Sequence, residues 1–281
     1  MSFRRAAGAF LLACFLIFSL IAAFERFSPR VHGSTPPVLA EAWRPGLREV
    51  RSIDDAMTVL PAYIARQSGS RQMRIARGID QFVRERFFHD TSLLTWRENA
   101  LAALTGYLWV NLREPVLPDD ILHHRRAICS QQAIVAMELL KRYGLHRAAV
   151  MMAWPAPDSS VQGHFAVAAQ IDGQWMYFDP DQEPPIETVP VESVLDGTAL
   201  TQLYGGKPAL LAGMRYAATH GTARMAWVDA FPAPHAGLFQ RITAWLSAYG
   251  WLPMGILGFL LLVPETSFPR RFSRLAAVPA R

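Results

Sequence analysis

The chain has 281 residues, a formal net charge of +5 and a hydrophobic fraction of 51%. Its positive charge comes almost wholly from arginines scattered along the sequence, because Lys141 and Lys207 are the only lysines. A basic stripe with interleaved aromatic residues is missing, so the composition does not favour a nucleic-acid-binding protein. Once two apolar terminal segments are set aside, the remaining length suits one domain with a sizeable core.

The first apolar segment runs without a charge from Ala6 to Phe24, directly after Arg4 and Arg5. As a helix it would span roughly 28 Å at about 1.5 Å per residue, which is enough to cross a bilayer. A cleaved secretory signal is the alternative, but the run exceeds the ~7 to 15 apolar residues of an ordinary signal. The sequence therefore predicts an uncleaved transmembrane anchor in residues 1–24.

A second uncharged segment covers residues 242–264 and is followed by a basic tail at 265–281. We expect a second transmembrane helix here, although Gly250 and Pro253 would also suit an interfacial or buried helix in its first half. Arginines beside both segments are typical of cytoplasmic flanks. The prediction is a bacterial inner-membrane protein with both termini in the cytoplasm and residues 51–241 in an extracytoplasmic, periplasmic domain.

Between the two segments the sequence begins with a linker and continues with helices. Residues 25–50 are rich in Pro, Ser and Gly, which is typical of a linker. Apolar residues at helical spacing then predict three helices, over 53–66, 70–88 and 95–112. These three helices precede the residues that carry the predicted chemistry, and together we call them the helical preface.

Cys129 opens the next predicted helix, over 128–143, which Gly144 would cap. The only other cysteine, Cys14, lies in the first apolar segment, so a disulfide within the outer domain is impossible. A lone thiol in an oxidising compartment is a liability unless it is buried or used. Cys129 is therefore either a nucleophile or a small residue packing the start of a helix.

The dipeptide Asp172-Gly173 predicts a tight hairpin turn between strands at 164–171 and 174–179. Ile171 should then pair with Gln174, which sets the register of the whole hairpin.

That register places His164 and Asp179 on one face of the sheet, together with the small residues Ala166 and Ala168. The alanines leave space for a helix to approach. We expect the Cys129 helix to pack on this face and to bring the sulfur to the imidazole.

The three side chains supply the parts of a thiol nucleophile. Cys129 would attack an acyl carbon, His164 would accept and return the proton, and Asp179 would orient the ring. A backbone N–H at Cys129 is the expected oxyanion donor. The side chains that could assist it are Asn111, Trp109 and Gln131.

This order and spacing resembles the transglutaminase-like superfamily over roughly residues 100–190. The resemblance rests on the segment from Cys129 through Arg147, on Gly163-His164, and on Asp-Gly-Gln-Trp-Met-Tyr-Phe-Asp-Pro at 172–180. It implies a papain-like α+β core in which the nucleophile helix packs on an antiparallel sheet. It also implies acyl-transfer chemistry, namely amide crosslinking, deamidation or peptide-bond hydrolysis.

We therefore expect a membrane-anchored cysteine acyltransferase or amide and peptide hydrolase that acts through a thioester. Its expected partners are a protein or peptide amide substrate, the bilayer and cell-envelope proteins, without nucleic acid. No cofactor and no metal are expected. The alternative left open is a catalytically silent module of the same fold in a cell-envelope or polysaccharide-handling membrane assembly.

Overall fold

The computed structural model describes residues 3–27, 42–181 and 188–262. Most of the predicted linker and the whole basic tail at 265–281 lie outside these residues. The helices and strands, in chain order, are α1 (Phe3–Phe27), α2 (Ile53–Ile64), α3 (Arg71–Arg86), α4 (Ala100–Thr105), α5 (Pro118–Leu122), α6 (Cys129–Arg142), β1 (Arg147–Pro155), β2 (Val161–Ile171), β3 (Gln174–Phe178), β4 (Val189–Pro190), α7 (Val191–Leu195), α8 (Leu200–Tyr204), α9 (Pro208–Thr219), β5 (Arg224–Ala226), α10 (Pro234–Tyr249) and α11 (Trp251–Leu262).

The strands form one five-stranded sheet in the order β4-β3-β2-β1-β5. Every strand pair described in it is antiparallel. This confirms the predicted α+β class with an antiparallel sheet.

The central hairpin has the predicted register. Ile171 pairs with Gln174, and the β2–β3 pairing continues to Val167 opposite Phe178. Asp172 and Gly173 have φ angles of 50° and 88°. Both lie in the left-handed region that a two-residue hairpin turn of this kind requires.

The Cys129 helix packs on the face of the sheet opposite to the predicted one. A core cluster joins α2, α3 and α6 to the sheet residues Ala149, Val167, Ala169, Ile171 and Phe178. These residues alternate with the alanines that were expected to receive the helix, so the predicted packing face is wrong.

The alanine face is covered by helices that lie between β4 and β5 in the chain. Ala166, Ala168 and Tyr177 pack with residues of α7, α8 and α9, among them Tyr204 and Met214. The small alanines do make room for helices, but those helices come from beyond β4.

The helices of the preface match the sequence predictions in part. Residues 53–66 and 70–88 form α2 and α3, whose starts are capped by Ser52 and Ser70. The predicted helix over 95–112 is wrong: α4 covers only six residues, and a 3₁₀ turn follows at Val110–Arg113. Helix α4 begins only after Asn99, whose side chain accepts a hydrogen bond from Ala102 N, and it ends at Gly106.

The chain separates into two compact units. The first contains the described parts of Met1–Val31, Leu94–Arg113 and Arg241–Arg281. The second contains those of His32–Leu93 and Glu114–Gln240, and it holds the sheet and α6. The predicted boundaries at residues 24, 50, 241 and 264 stay predictions.

Among the described helices, α1 alone is long and apolar enough to cross a bilayer. Its window Phe3–Phe24 has a mean hydropathy of 2.5 and is 6% buried. An N-terminal helix of this kind is typical of a membrane anchor and also of a signal sequence.

The second predicted span, 242–264, is wrong as one continuous helix. Helices α10 and α11 meet at Gly250 with a bend of 59°. The 12 residues of α11 extend roughly 18 Å, short of the ~30 Å of a hydrocarbon core. Pro253 explains the break, because proline lacks the N–H that a helix running through Tyr249 would need. Only the bent pair taken together has the length of a span.

Candidate active site

Cys129 is the first residue of α6, where the chain turns out of an extended conformation at Ile128. The side chain of Gln131 braces this turn: its Oε1 accepts from Ile128 N at 3.1 Å and from Ser92 Oγ at 2.9 Å. Its Nε2 donates to the carbonyls of Ser92 and Pro115. Both amide hydrogens of Gln131 are thus directed at backbone oxygens, which does not favour it as an oxyanion donor.

His164 lies in β2, opposite Met152 of β1, with a side chain only 3% exposed. The residue before it is glycine for a steric reason. A Cβ at Gly163 would lie 2.7 Å from the carbonyl oxygen of Met152, closer than any normal contact. Gly163 therefore allows the close strand approach that positions the imidazole.

Asp179 follows the end of β3 and binds the imidazole directly. His164 Nε2 and Asp179 Oδ2 are 2.6 Å apart, and the carboxylate is fully buried. The hydroxyl of Tyr204 donates to the same oxygen, and Asp181 N donates to Oδ1 at 3.1 Å. At least three donors thus hold this carboxylate.

The thiol of Cys129 also contacts the ring of His164. Its Sγ is within 4.8 Å of a His164 ring nitrogen, and the two side chains are hydrogen-bonded. Because Nε2 already faces Asp179, we assign the contact with the thiol to Nδ1. The structure therefore brings together the three side chains that the sequence singled out.

The meeting point is the end of the β2–β3 pairing. Cys129 belongs to the helix on one face of the sheet, whereas His164 points with Ala166 towards the other. The pairs between β2 and β3 stop at Val167 and Phe178, so within the described residues the edge of β2 near His164 has no β3 neighbour. There the start of α6 reaches the ring.

The site favours the protonated form of His164. Burial lowers the pKa of this ring, but the charge of Asp179, its hydrogen bond and the contacts with Cys129 outweigh burial. The pKa of His164 is therefore raised well above its ordinary value. A ring that keeps its proton can later give it to a leaving amine.

Two tyrosines extend the chain of hydrogen bonds behind Asp179. The hydroxyls of Tyr177 and Tyr204 are 2.7 Å apart. Burial, followed by the charge of Asp179, raises the pKa of both well above the ordinary value. Both hydroxyls thus keep their protons and Tyr204 can donate to the carboxylate. Tyr204 is not predicted from the sequence, because no spacing rule links it to the triad.

A second buried carboxylate, Asp181, also borders the thiol. One of its oxygens, Cys129 Sγ and a His164 ring nitrogen all lie within 4.8 Å of one another. Asp181 Oδ1 accepts from Gln132 Nε2 at 2.8 Å and contacts His89 Nδ1 at 2.5 Å. Asp181 is not among the residues predicted from the sequence, although the repeat Asp-Pro-Asp after β3 is a usable signal.

These three groups are also ligand types that a zinc ion accepts, and three protein ligands are typical of an open zinc site. Asp179 would then act as the outer carboxylate that orients a ligating histidine. A metal and a substrate would compete for the same sulfur. The sequence-based expectation of no metal stays a prediction.

A buried ion pair supports the backbone of Asp179 from α3. Arg84 Nη2 donates to Asp80 Oδ2 at 2.9 Å and to the carbonyl oxygen of Asp179 at 3.2 Å. Burial raises the pKa of Asp80, Arg84 opposes this rise, and the charge of Asp179 adds to it. The guanidinium thus links α3 to the segment that carries the carboxylate.

The remaining oxyanion candidates stay predictions. Cys129 is the first residue of α6, a position whose backbone N–H has no partner within the helix. Asn111 and Trp109 belong to the first compact unit, in and beside the turn Val110–Arg113. The side chain of Trp109 is 62% exposed.

A helix-borne thiol beside a buried imidazole and carboxylate is the arrangement that cysteine enzymes use, and it supports a site of that class. The comparison with protein families agrees: residues 64–193 match the family described as a transglutaminase-like domain. The matched stretch contains Cys129, His164 and Asp179. The comparisons with curated proteins and with solved structures found no match.

Proposed function

We propose that the domain is a cysteine acyltransferase or an amide and peptide hydrolase that forms a thioester at Cys129. The observation that supports this most is the continuous chain of contacts from the thiol through His164 and Asp179 to the hydroxyl of Tyr204. A purely structural cysteine does not need a buried imidazole whose second nitrogen is held by a carboxylate.

In the acylation step, Cys129 Sγ attacks the carbonyl carbon of an amide while His164 holds the thiol proton. A C–S bond forms and the tetrahedral intermediate collapses by breaking the C–N bond. His164 gives its proton to the leaving nitrogen, which departs as ammonia or an amine. Asp179 keeps the ring oriented and stabilises its cation.

In the second step, water or an amine attacks the thioester carbonyl and His164 accepts the proton of the attacking group. The C–S bond breaks, and the sulfur recovers a proton from His164. Water gives a carboxylic acid, whereas an amine gives a new amide. The N–H of Cys129 is the proposed donor to the oxyanion in both steps.

We place this reaction outside the cytoplasm of a bacterium, on a protein or peptide substrate, with cell-envelope proteins as further partners. Helix α1 supports membrane attachment through its length and hydropathy. The arginines beside both terminal segments support cytoplasmic ends on either side of an extracytoplasmic domain.

Thiol labelling of the full chain in native membranes tests the nucleophile. An alkyne-bearing chloroacetamide is applied in a Cys14→Ser background, so that Cys129 is the only thiol left. We expect rapid labelling that disappears in Cys129→Ser and slows strongly in His164→Ala. The matched control is His123→Ala, because His123 is an exposed histidine.

Unchanged labelling in His164→Ala would contradict an activated thiol and would favour the silent binding module. A second assay incubates the protein with glutamine-containing peptides and traps the thioester with hydroxylamine. The hydroxamate product is expected from the parent protein and not from Cys129→Ser. Amines that accelerate breakdown of the thioester indicate transfer, and amines without effect indicate hydrolysis.

A further inference from the structure

The first compact unit carries an exposed apolar segment that the proposed chemistry does not use. Four consecutive large side chains face outward: Tyr107 is 74% exposed, Leu108 89%, Trp109 62% and Val110 51%. Single exposed apolar residues are normal on a protein surface, but a continuous run marks a surface that contacts something apolar.

An aromatic chain connects this segment to the end of α1. The rings of Phe24 and Trp96 pack edge to face with centroids 5.9 Å apart, and Trp96 and Tyr107 follow at 6.5 Å. Phe24 is the last residue of the apolar window of α1. The exposed segment therefore lies where the apolar length of that helix ends.

Hydrogen bonds to α10 hold the same part of the unit in place. Asn99 Nδ2 donates to Thr243 Oγ1 at 2.9 Å, and Leu101 N donates to Ser247 Oγ at 3.1 Å. Asn99, Thr243 and Ser247 are all buried. The start of α4, the helix that leads into the exposed segment, is therefore hydrogen-bonded to α10.

Helices α1 and α11 pack closely against each other as an antiparallel apolar pair. A Cβ at Gly255 would lie 2.6 Å from Phe15, and one at Gly258 would lie 3.1 Å from the side chain of Leu12. Small residues at such contacts are typical of helices that associate in a bilayer. The exposed segment is thus continuous with the surface that the membrane would cover.

We propose that residues 104–110 lie in the interfacial layer of the bilayer and anchor the first unit at the level of the lipid headgroups. Tyr and Trp are enriched at that depth because an apolar ring with one polar atom suits the boundary between acyl chains and headgroups. Leu108 contacts the upper acyl chains. This inference rests on the proposed membrane attachment of α1.

Depth-dependent quenching of a single fluorophore tests the inference on the full chain. Three single-cysteine proteins are labelled with nitrobenzoxadiazole: native Cys14 in Cys129→Ser, and Leu108→Cys and Val161→Cys in a background without both native cysteines. Val161 is the matched control, because it is apolar and 79% exposed but belongs to the second unit. Each protein is placed in vesicles of phosphatidylethanolamine and phosphatidylglycerol, with and without bromine on the upper acyl chains.

We expect blue-shifted emission and loss of fluorescence in brominated vesicles at positions 14 and 108, and neither change at 161. Quenching at 14 without quenching at 108 would overturn the inference and leave the anchor intact. The absence of quenching at both 14 and 108 would overturn the anchor as well. Equal quenching at 108 and 161 would also contradict the proposal, because it would report general adsorption rather than this segment.

Discussion

Replacing Asp179 by asparagine removes the charge that supports the imidazole while keeping the shape of the side chain. Asp179 Oδ2 accepts from His164 Nε2 and from the hydroxyl of Tyr204, and Oδ1 accepts from Asp181 N. An amide offers one oxygen and one nitrogen in place of two acceptors. In either orientation its NH₂ group therefore faces at least one donor.

The cost follows from the burial of these groups. A hydrogen bond to a charged group contributes about 1.5–3 kcal/mol, and a buried donor left unsatisfied costs about 1–3 kcal/mol. We expect Asp179→Asn to lower the free energy of unfolding by about 3 kcal/mol on this basis. Because Asp179 supplies the largest effect that raises the pKa of His164, the substitution should also lower that pKa.

The two effects are linked through pH. A folded-state pKa above the ordinary value of 6.5 means that the stabilisation from His164 is fully present below 6.5. It is lost as the pH rises through the raised folded-state pKa. The difference in stability between the parent protein and Asp179→Asn should therefore shrink as the pH is raised through that range.

Two measurements check this prediction. Nuclear magnetic resonance of ¹⁵N-labelled histidines follows the His164 titration, in a Cys129→Ser background so that the thiol proton does not mix with that of the ring. Urea unfolding followed by circular dichroism gives the stability at several pH values. Asp172→Asn is the matched control, because it makes the same change at an exposed turn. A His164 titration that coincides in Asp179→Asn and the parent would refute the electrostatic role.

Three further substitutions probe the support of the site. Tyr204→Phe removes a hydroxyl that donates to Asp179 and should cost about 1–3 kcal/mol in urea unfolding and slow thiol labelling; unchanged labelling would contradict a role at the site. Gly163→Ala puts a Cβ against the carbonyl of β1 and should cost about 1–3 kcal/mol, whereas an unchanged melting temperature would contradict the close strand approach. Arg84→Met leaves Asp80 as an unpaired buried carboxylate and should cost about 3–5 kcal/mol. Burial raises the pKa of Asp80, so this loss should diminish in acid, and a loss independent of pH would contradict the ion-pair explanation.

Local chemistry accounts for what the sequence predicted well. Asp172-Gly173 permits few turn geometries, so the pairing of Ile171 with Gln174 follows from adjacent residues alone. The start of α6 at Cys129 and the joint position of His164 and Asp179 on the hairpin follow from equally short spacings.

Long-range packing accounts for what the sequence did not predict. Alternation along β2 tells which side chains share a face, but it does not tell which helix covers that face. Ala166 and Ala168 pack against α8 and α9 rather than against α6. Tyr204 comes from that later helix, so no motif near the hairpin could have revealed it.

The break after α10 has a similar cause. Hydropathy averaged over 242–264 indicates an apolar segment, but it does not tell whether the helix axis runs straight or bends. Gly250 and Pro253 account for the bend, since α10 ends before Gly250 and Pro253 lies in the first turn of α11.

The thiol and its proton acceptor belong to different layers of the domain, on the two faces of the sheet. Cys129 begins α6, which belongs to one core, whereas Tyr204, which donates to Asp179, belongs to the core on the other face of the sheet. A nascent chain that has closed only one layer carries an ordinary cysteine without a base. The contact between the thiol and the imidazole therefore requires both layers to be packed.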